Sequence, residues 1–354
     1  MKIVKIETEI EYIELKTPFV TALRTAWHVE FVRVHVACDN GFVAIGEAPA
    51  TKAITGEDLE TITEAIAQYK STFYFHMPKD ALKILHAQCE KMGSSAKAAL
   101  DMAFVSLLAQ EKNLPLYQYL GAKEATTLQT DVTISLNTPD AMFEEAVLAC
   151  GNGLSILKVK LGADIGHAIE VTQRIAKAFP HVPERSDKCP RGAKVIIDAN
   201  QSWSVQSCKH FIDETKNCKL ELIEQPVKAE DLEGLKTLTE YSGVPILADE
   251  ALFSFEDAKK VIETQSADMI NIKLMKCGGV TKAVEILEYC REKGVACMLG
   301  SMLEGPHSIN AALHLAMAYG DVLKYLDLDS PLLYKEHSDA LDFEFVGCNI
   351  TLKV

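Results

Sequence analysis

Apolar and polar residues alternate at period two through much of residues 1–50, at Ile3 and Ile6, from Phe31 to Val36, and from Val43 to Ile45. That alternation predicts strands with one buried face. Asp39-Asn40-Gly41 separates two of these runs. An Asn-Gly pair supplies the positive φ angles of a tight turn, so a hairpin is predicted there. From Thr55 to about Leu120 apolar residues recur three and four apart, over 79–92 and most clearly over 94–113. These segments predict helices. Strands followed by helices imply a small α+β unit ending near Gly121.

The rhythm changes at Leu128. Eight short apolar runs follow, at 130–135, 156–160, 194–198, 220–224, 245–249, 269–273, 296–300 and 324–327. Each ends in polar or charged residues, and most lead into a helical stretch. Eight such units over about 200 residues match the size of a (β/α)₈ barrel. An open doubly wound sheet is the competing layout, but no glycine-rich phosphate loop follows the first strand. Residues 343–354 predict one more strand, returning toward the first unit. The stretch from Pro180 to Gly192 reads as an extended surface loop.

Composition narrows the function. The chain has 354 residues, 48% hydrophobic and 24% charged, with 36 basic and 50 acidic residues, hence a formal charge of −14. An acidic surface disfavours nucleic acid and anionic membranes as partners. No apolar run reaches the roughly 18 residues of a membrane span, and the alternating N-terminus does not resemble a signal peptide. The ten cysteines are scattered without a CxxC pair. A reduced, cytoplasmic compartment is the expectation. Association into a homo-oligomer is left open.

The chemistry lies where the eight runs end, because those ends face the active site of a barrel. They carry Ser135, Lys158 and Lys160, Asp198, Glu224, Asp249, Lys273, Ser301, and Asp327 with Asp329. The three acids in IIDAN, LIEQP and ILADE stand on consecutive runs, so their carboxylates should converge. Like charges converge only where a cation neutralises them. Oxygen donors without His or Cys favour Mg²⁺ over zinc.

Lys158 and Lys160 are two apart and point to the same side of a strand. Lys273 ends the sixth run, almost opposite the second in an eight-strand ring. One amine is therefore expected on each face of a substrate held at the metal. A lysine has a pKa of about 10.4, so a general base needs help to shed its proton. Lys158 and a divalent cation both favour the neutral amine at Lys160, which makes Lys160 the base and Lys158 its tuner. Mg²⁺ would hold the substrate carboxylate and stabilise the enediolate left when the α-proton departs. A protonated Lys273 across the ring would return a proton to the other face, inverting the carbon.

KxK, DAN, EQP, ADE and IKLMKCGG together resemble the muconate-lactonizing subgroup of the enolase superfamily, whose members use a Lys or His base with Mg²⁺. The resemblance runs over essentially the whole chain. It implies a modified TIM (β/α)₈ barrel beneath an α+β capping domain built from both chain ends. The corresponding division is 1–125 for the cap, 126–327 for the barrel and 328–354 for a segment returning to the cap. It also implies Mg²⁺ on Asp198, Glu224 and Asp249, with Lys160 serving the S-configured and Lys273 the R-configured α-carbon.

Two further segments bear on the substrate. LDLDSP is similar to the DxD of dipeptide epimerases, and Asp327 and Asp329 suit a substrate ammonium such as the free N-terminus of a dipeptide. TALRT is similar to the cap loop of L-Ala-D/L-Glu epimerases, where Arg24 would pair with a glutamate side chain. In the same way AITGED offers Ile54 and Thr55 as wall residues, and GSMLEG places Ser301 and Met302 at the substrate site. The resemblance thus implies a dipeptide epimerase acting on L-Ala-L-Glu and L-Ala-D-Glu, a peptide of peptidoglycan type. An N-acylamino-acid racemase or cycloisomerase is the nearest rival, and a barrel that binds without catalysis is a remote one. Metal-dependent hydrolysis would call for His ligands, which the strand ends lack.

Overall fold

The computed structural model describes residues 1–180 and 192–353. The proposed surface loop between Pro180 and Gly192 therefore lies largely outside the described residues. The chain opens with an antiparallel sheet of β1 (Ile3–Val20), β2 (Thr25–Cys38) and β3 (Val43–Pro49). The Asn-Gly turn joins β2 to β3, with Gly41 at φ 87° as predicted for that position. β1 and β2 run on together to pair Val20 with Thr25, past an irregularity between Glu14 and Phe19. The segment expected as a cap loop is thus a hairpin arm with only a four-residue tip.

Helices Leu59–Tyr69, Pro78–Gln88 and Ser94–Glu111 follow. The first begins with a capping box between Asp58 and Thr61, which satisfies free N–H groups of the first turn. The third is apolar nearly all round because it is buried on two sides. Ala96, Ala99 and Phe104 join the cap core, while Ala98, Met102 and Val105 join the barrel core. Gly46 makes the close contact with β3 possible, since a Cβ there would lie 1.8 Å from the Ala99 carbonyl oxygen.

The short strand β4 (Leu128–Gln129) precedes eight parallel strands in sequential order. These are β5 (Val132–Ile134), β6 (Ile156–Lys160), β7 (Lys194–Asp198), β8 (Leu220–Glu224), β9 (Ile246–Ala248), β10 (Met269–Lys273), β11 (Cys297–Gly300) and β12 (Leu323–Asp327). The seam between β12 and β5 is sewn by other bonds. Asp131 N–H donates to Leu326 O, Leu328 N–H to Thr130 Oγ1, and Thr133 N–H to the Asp329 carboxylate. No helix among the described residues is long and apolar enough to cross a membrane.

Inside the barrel Ile156, Ile196, Leu222, Leu247, Met269, Met298 and Tyr325 form an apolar floor. Because strand side chains alternate, the residues two further along face the same way. They are Lys158, Asp198, Glu224, Asp249, Asn271, Gly300 and Asp327. The floor and the site are adjacent layers of one pattern.

Two buried acids tie cap to barrel. Glu47 of β3 accepts the His307 and Ser308 amides at the start of helix Pro306–Ala318, and an Arg33 N–H on its other oxygen. Asp101 accepts the Thr281 amide beside helix Val280–Lys293. After β12, Lys335 N–H bonds Glu14 O in β1. The final residues depart from the single strand predicted. They form a hairpin, β13 (Phe343–Val346) and β14 (Asn349–Leu352), and β14 pairs with β4 rather than with the cap sheet. Cys348 at its tip joins the barrel floor. The hairpin closes the barrel's lower end, where apolar side chains would otherwise meet water.

Candidate active site

The barrel mouth and the cap hairpin together line a cleft. Arg24, Ile54, Lys160, Asp249, Lys273, Ser301, Met302, Asp327 and Asp329 all line it. Beneath them Lys158, Asp198 and Glu224 are wholly buried. Gly300 leaves space for one of the amines, since a Cβ there would stand 2.9 Å from Lys273 Cε.

The acids on β7, β8 and β9 are laced by amines. Lys160 Nζ lies 2.5 Å from Asp198 Oδ2, and Lys273 Nζ lies 2.8 Å from Asp249 Oδ2. Lys276 holds the other Asp249 oxygen as well as the Asp249 and Asn271 carbonyls. Lys158 Nζ is 2.7 Å from Glu224 and 2.6 Å from Asp327. Glu224 Oε1 also accepts from Asn271 at 2.8 Å, whereas its Oε2 has no aligned donor.

These contacts set the charges. Burial alone would strip Lys158 of its proton, but Asp327, Glu224 and Asp198 hold it well above the ordinary lysine range. Burial acts the same way on Lys273, but Asp249 outweighs it and holds this amine above the ordinary lysine range. Burial would raise Asp198 and Asp249, yet their lysines keep both below the ordinary carboxylate range. Glu224 is pushed up to about 7 by burial and the charge of Asp198, against the pull of Lys158. Buried carboxylates on three adjacent strands, interleaved with four amines, form a chamber suited to a reacting carboxylate.

The substrate-facing residues divide. Arg24, at the hairpin tip, makes no side-chain hydrogen bond or ion pair among the described residues, although burial depresses its pKa against the pull of Glu30. A half-buried guanidinium of this kind is suited to an incoming carboxylate. Ile54 faces the cleft, but Thr55 does not. Its hydroxyl donates to Thr51 O and accepts from Ser95 Oγ, within the cap. Ser135 also stays out of the cleft wall and its Oγ accepts the Val20 amide, clipping the hairpin arm to the barrel rim. Sequence reasoning missed Thr133, Asn200 and Glu250, which line the cleft. Asn200 and Glu250 lie in the DAN and ADE segments, one or two residues beyond the acids singled out. Glu250 is pushed up to about 8 by burial and Asp249, and accepts from the Asn200 amide at 3.3 Å.

Comparison with known proteins agrees with this architecture. Residues 4–121 match the mandelate racemase/muconate lactonizing enzyme N-terminal domain, and residues 141–352 the enolase C-terminal domain-like family. The chain belongs to the enolase superfamily. A curated relative within it, the L-amino acid-D/L-Glu epimerase of Sulfurimonas denitrificans, is 57% identical over 99% of both chains. The substrate-liganded L-Ala-D/L-Glu epimerase of Bacillus subtilis superposes with a TM-score of 0.90 at 37% identity, covering 100% of this chain and 97% of its own. The dipeptide epimerase of Enterococcus faecalis, complexed with Mg and L-Leu-L-Tyr, gives 0.90 at 32% identity, with 100% and 98% covered.

Proposed function

We propose that this chain is a dipeptide epimerase that inverts the α-carbon of the C-terminal residue, interconverting L-Ala-L-Glu and L-Ala-D-Glu. One observation carries the reading. A single cleft joins two amines from opposed strands, Lys160 and Lys273, to a carboxylate pair, Asp327 and Asp329, and to the unpaired guanidinium of Arg24. An ammonium at one end and an extra carboxylate at the other describe a dipeptide ending in glutamate. The name of the 57%-identical relative leaves the first amino acid open, so L-Ala is where testing starts.

Mg²⁺ would be held by Asp198, Glu224 and Asp249. The donor set is of the kind Mg²⁺ takes: three buried carboxylates on adjacent strands, each now beside an amine that the ion would displace or share. When bound, the ion supplies positive charge against the substrate carboxylate and so eases loss of the neighbouring proton. Lys160 takes the α-proton of the S substrate, and the electron pair moves into the carboxylate to give an enediolate. Lys273 then delivers its proton to the opposite face of the carbon, and the R substrate reverses the roles. Lys158 supplies a fixed positive charge below the reacting group. Ile54, Ser301 and Met302 form the wall. With nine free cysteines among the described residues, a reducing cytoplasm suits the protein, and peptidoglycan-type peptides are the natural source of this substrate.

The test is α-deuteration in D₂O with Mg²⁺. L-Ala-L-Glu should exchange and epimerise. Exchange of an N-succinyl amino acid with none from the dipeptide would reject the reading in favour of an N-acylamino-acid racemase.

A further inference from the structure

Asp131 has no part in the chemistry above. It enters β5 two residues before Thr133 and is 1% exposed. Among the described residues it is the one carboxylate with both oxygens buried and neither hydrogen-bonded. Its backbone is fixed at the barrel seam by the bond from Asp131 N–H to Leu326 O. Oxygens of Asp131, Asp327 and Asp329 lie within 4.8 Å of one another. Asp327 has Lys158 at 2.6 Å and Asp329 has the Thr133 amide at 2.6 Å, which leaves Asp131 uncompensated.

Three oxygens so spaced leave a point that lies within about 2.8 Å of every one of them, the reach of an N⁺–H···O⁻ bond. A primary ammonium at that point has three N–H groups to give, one to each carboxylate. We propose that Asp131 is the rear carboxylate of the ammonium subsite, so that all three N–H bonds of a primary ammonium are taken. This rests on the reading that Asp327 and Asp329 receive the free N-terminus of a dipeptide. It adds a positioning residue and a requirement: the terminal amine must be primary.

The test uses steady-state kinetics of the full chain with Mg²⁺ on L-Ala-L-Glu, its N-methyl derivative and its N-acetyl derivative. Asp131→Asn should raise KM for L-Ala-L-Glu by about tenfold or more with kcat little changed, and leave α-proton exchange of the N-acetyl compound unaltered. For the wild type, N-methylation should raise KM about tenfold, a measurement that stands even if the variant does not fold. Parallel changes on dipeptide and N-acetyl compound, no change on either, or full tolerance of the N-methyl group would overturn the inference. So would Mg²⁺ binding at two sites per chain in the wild type and one in Asp131→Asn. If Asp327→Asn and Asp329→Asn also leave the dipeptide KM untouched, the dipeptide reading itself is wrong and this inference falls with it. If those two raise KM and Asp131→Asn does not, only the inference fails.

Discussion

Two groups of three acids share this barrel mouth, and they are balanced in opposite ways. On β7, β8 and β9 each carboxylate already meets an amine: Asp198 meets Lys160, Glu224 meets Lys158, and Asp249 meets Lys273 and Lys276. At the β12–β5 seam Asp327, Asp329 and Asp131 share the single amine of Lys158. The first group is self-sufficient in the protein alone. The second leaves Asp131 buried with neither oxygen hydrogen-bonded, a cost that persists only where something else meets it. The difference parallels the division of work proposed above, with proton traffic and metal at the laced group and recognition of a cation at the open one.

The largest expected effect breaks the laced side. Lys160→Ala should lose α-deuteration of L-Ala-L-Glu by about 10³-fold or more, within the 10²–10⁴ range of general acid–base catalysis. Exchange from L-Ala-D-Glu, which starts at Lys273, should survive. NMR in D₂O on the two epimers separately reads this out, and equal loss from both would dissolve the assignment of one lysine to each face.

Next comes metal affinity. Glu224→Gln should weaken Mg²⁺ binding, measured by calorimetry, by more than the roughly 10–100-fold typical of outer-sphere partners. Its melting temperature should move little, because Lys158 keeps Asp327 and Asp198 as partners. A large loss of stability would mean that the laced acids hold the fold rather than a metal.

The third effect concerns Arg24, which lines the same cleft from the tip of the cap hairpin. Arg24→Leu should cut kcat/KM for L-Ala-L-Glu by about 10–100-fold, the worth of a charged hydrogen bond. For L-Ala-L-Leu the change should be much smaller. Equal losses would remove Arg24 from recognition of the glutamate side chain.

How much of this was legible follows from where each signal lies. The strand-end residues were readable because a buried run ending in Asp, Glu or Lys contradicts its own hydrophobicity, as in VIIDA and MINIK. The Asn-Gly hairpin was readable because its turn chemistry is local. The partner of the last strands was not, since the pattern of 343–352 fixes a strand but not whether β4 or the cap sheet receives it. Thr55 was misdirected for a similar reason: the Ser95 hydroxyl that turns it inward is 40 residues away. Asp131 escaped because it stands before its strand rather than after it, and only closure of the seam aims it at Asp327.

That same residue gives the smallest effect and the sharpest view of the open group. Burial, and then the charge of Asp327, raise the Asp131 pKa well above its ordinary value. A carboxylic acid costs stability when its folded pKa is raised, and the sign can be followed with pH. Below the unfolded value of about 3.9, both states hold the proton and no penalty arises. As pH rises past it, the unfolded chain ionises freely while the folded one resists, so stability falls until the folded pKa is reached. Asp131→Asn removes that penalty and offers an amide that can donate to the neighbouring carboxylates. At pH 8 the variant without substrate should be more stable by about 1–2 kcal/mol, a rise of a few degrees in melting temperature. The gain should shrink toward zero near pH 4 in denaturant titrations. It should also shrink at pH 8 when saturating dipeptide is added, because a bound ammonium stabilises the wild type more than the variant. A variant less stable at every pH would mean that Asp131 is compensated within the fold, and the contrast between the two groups would then be one of position alone.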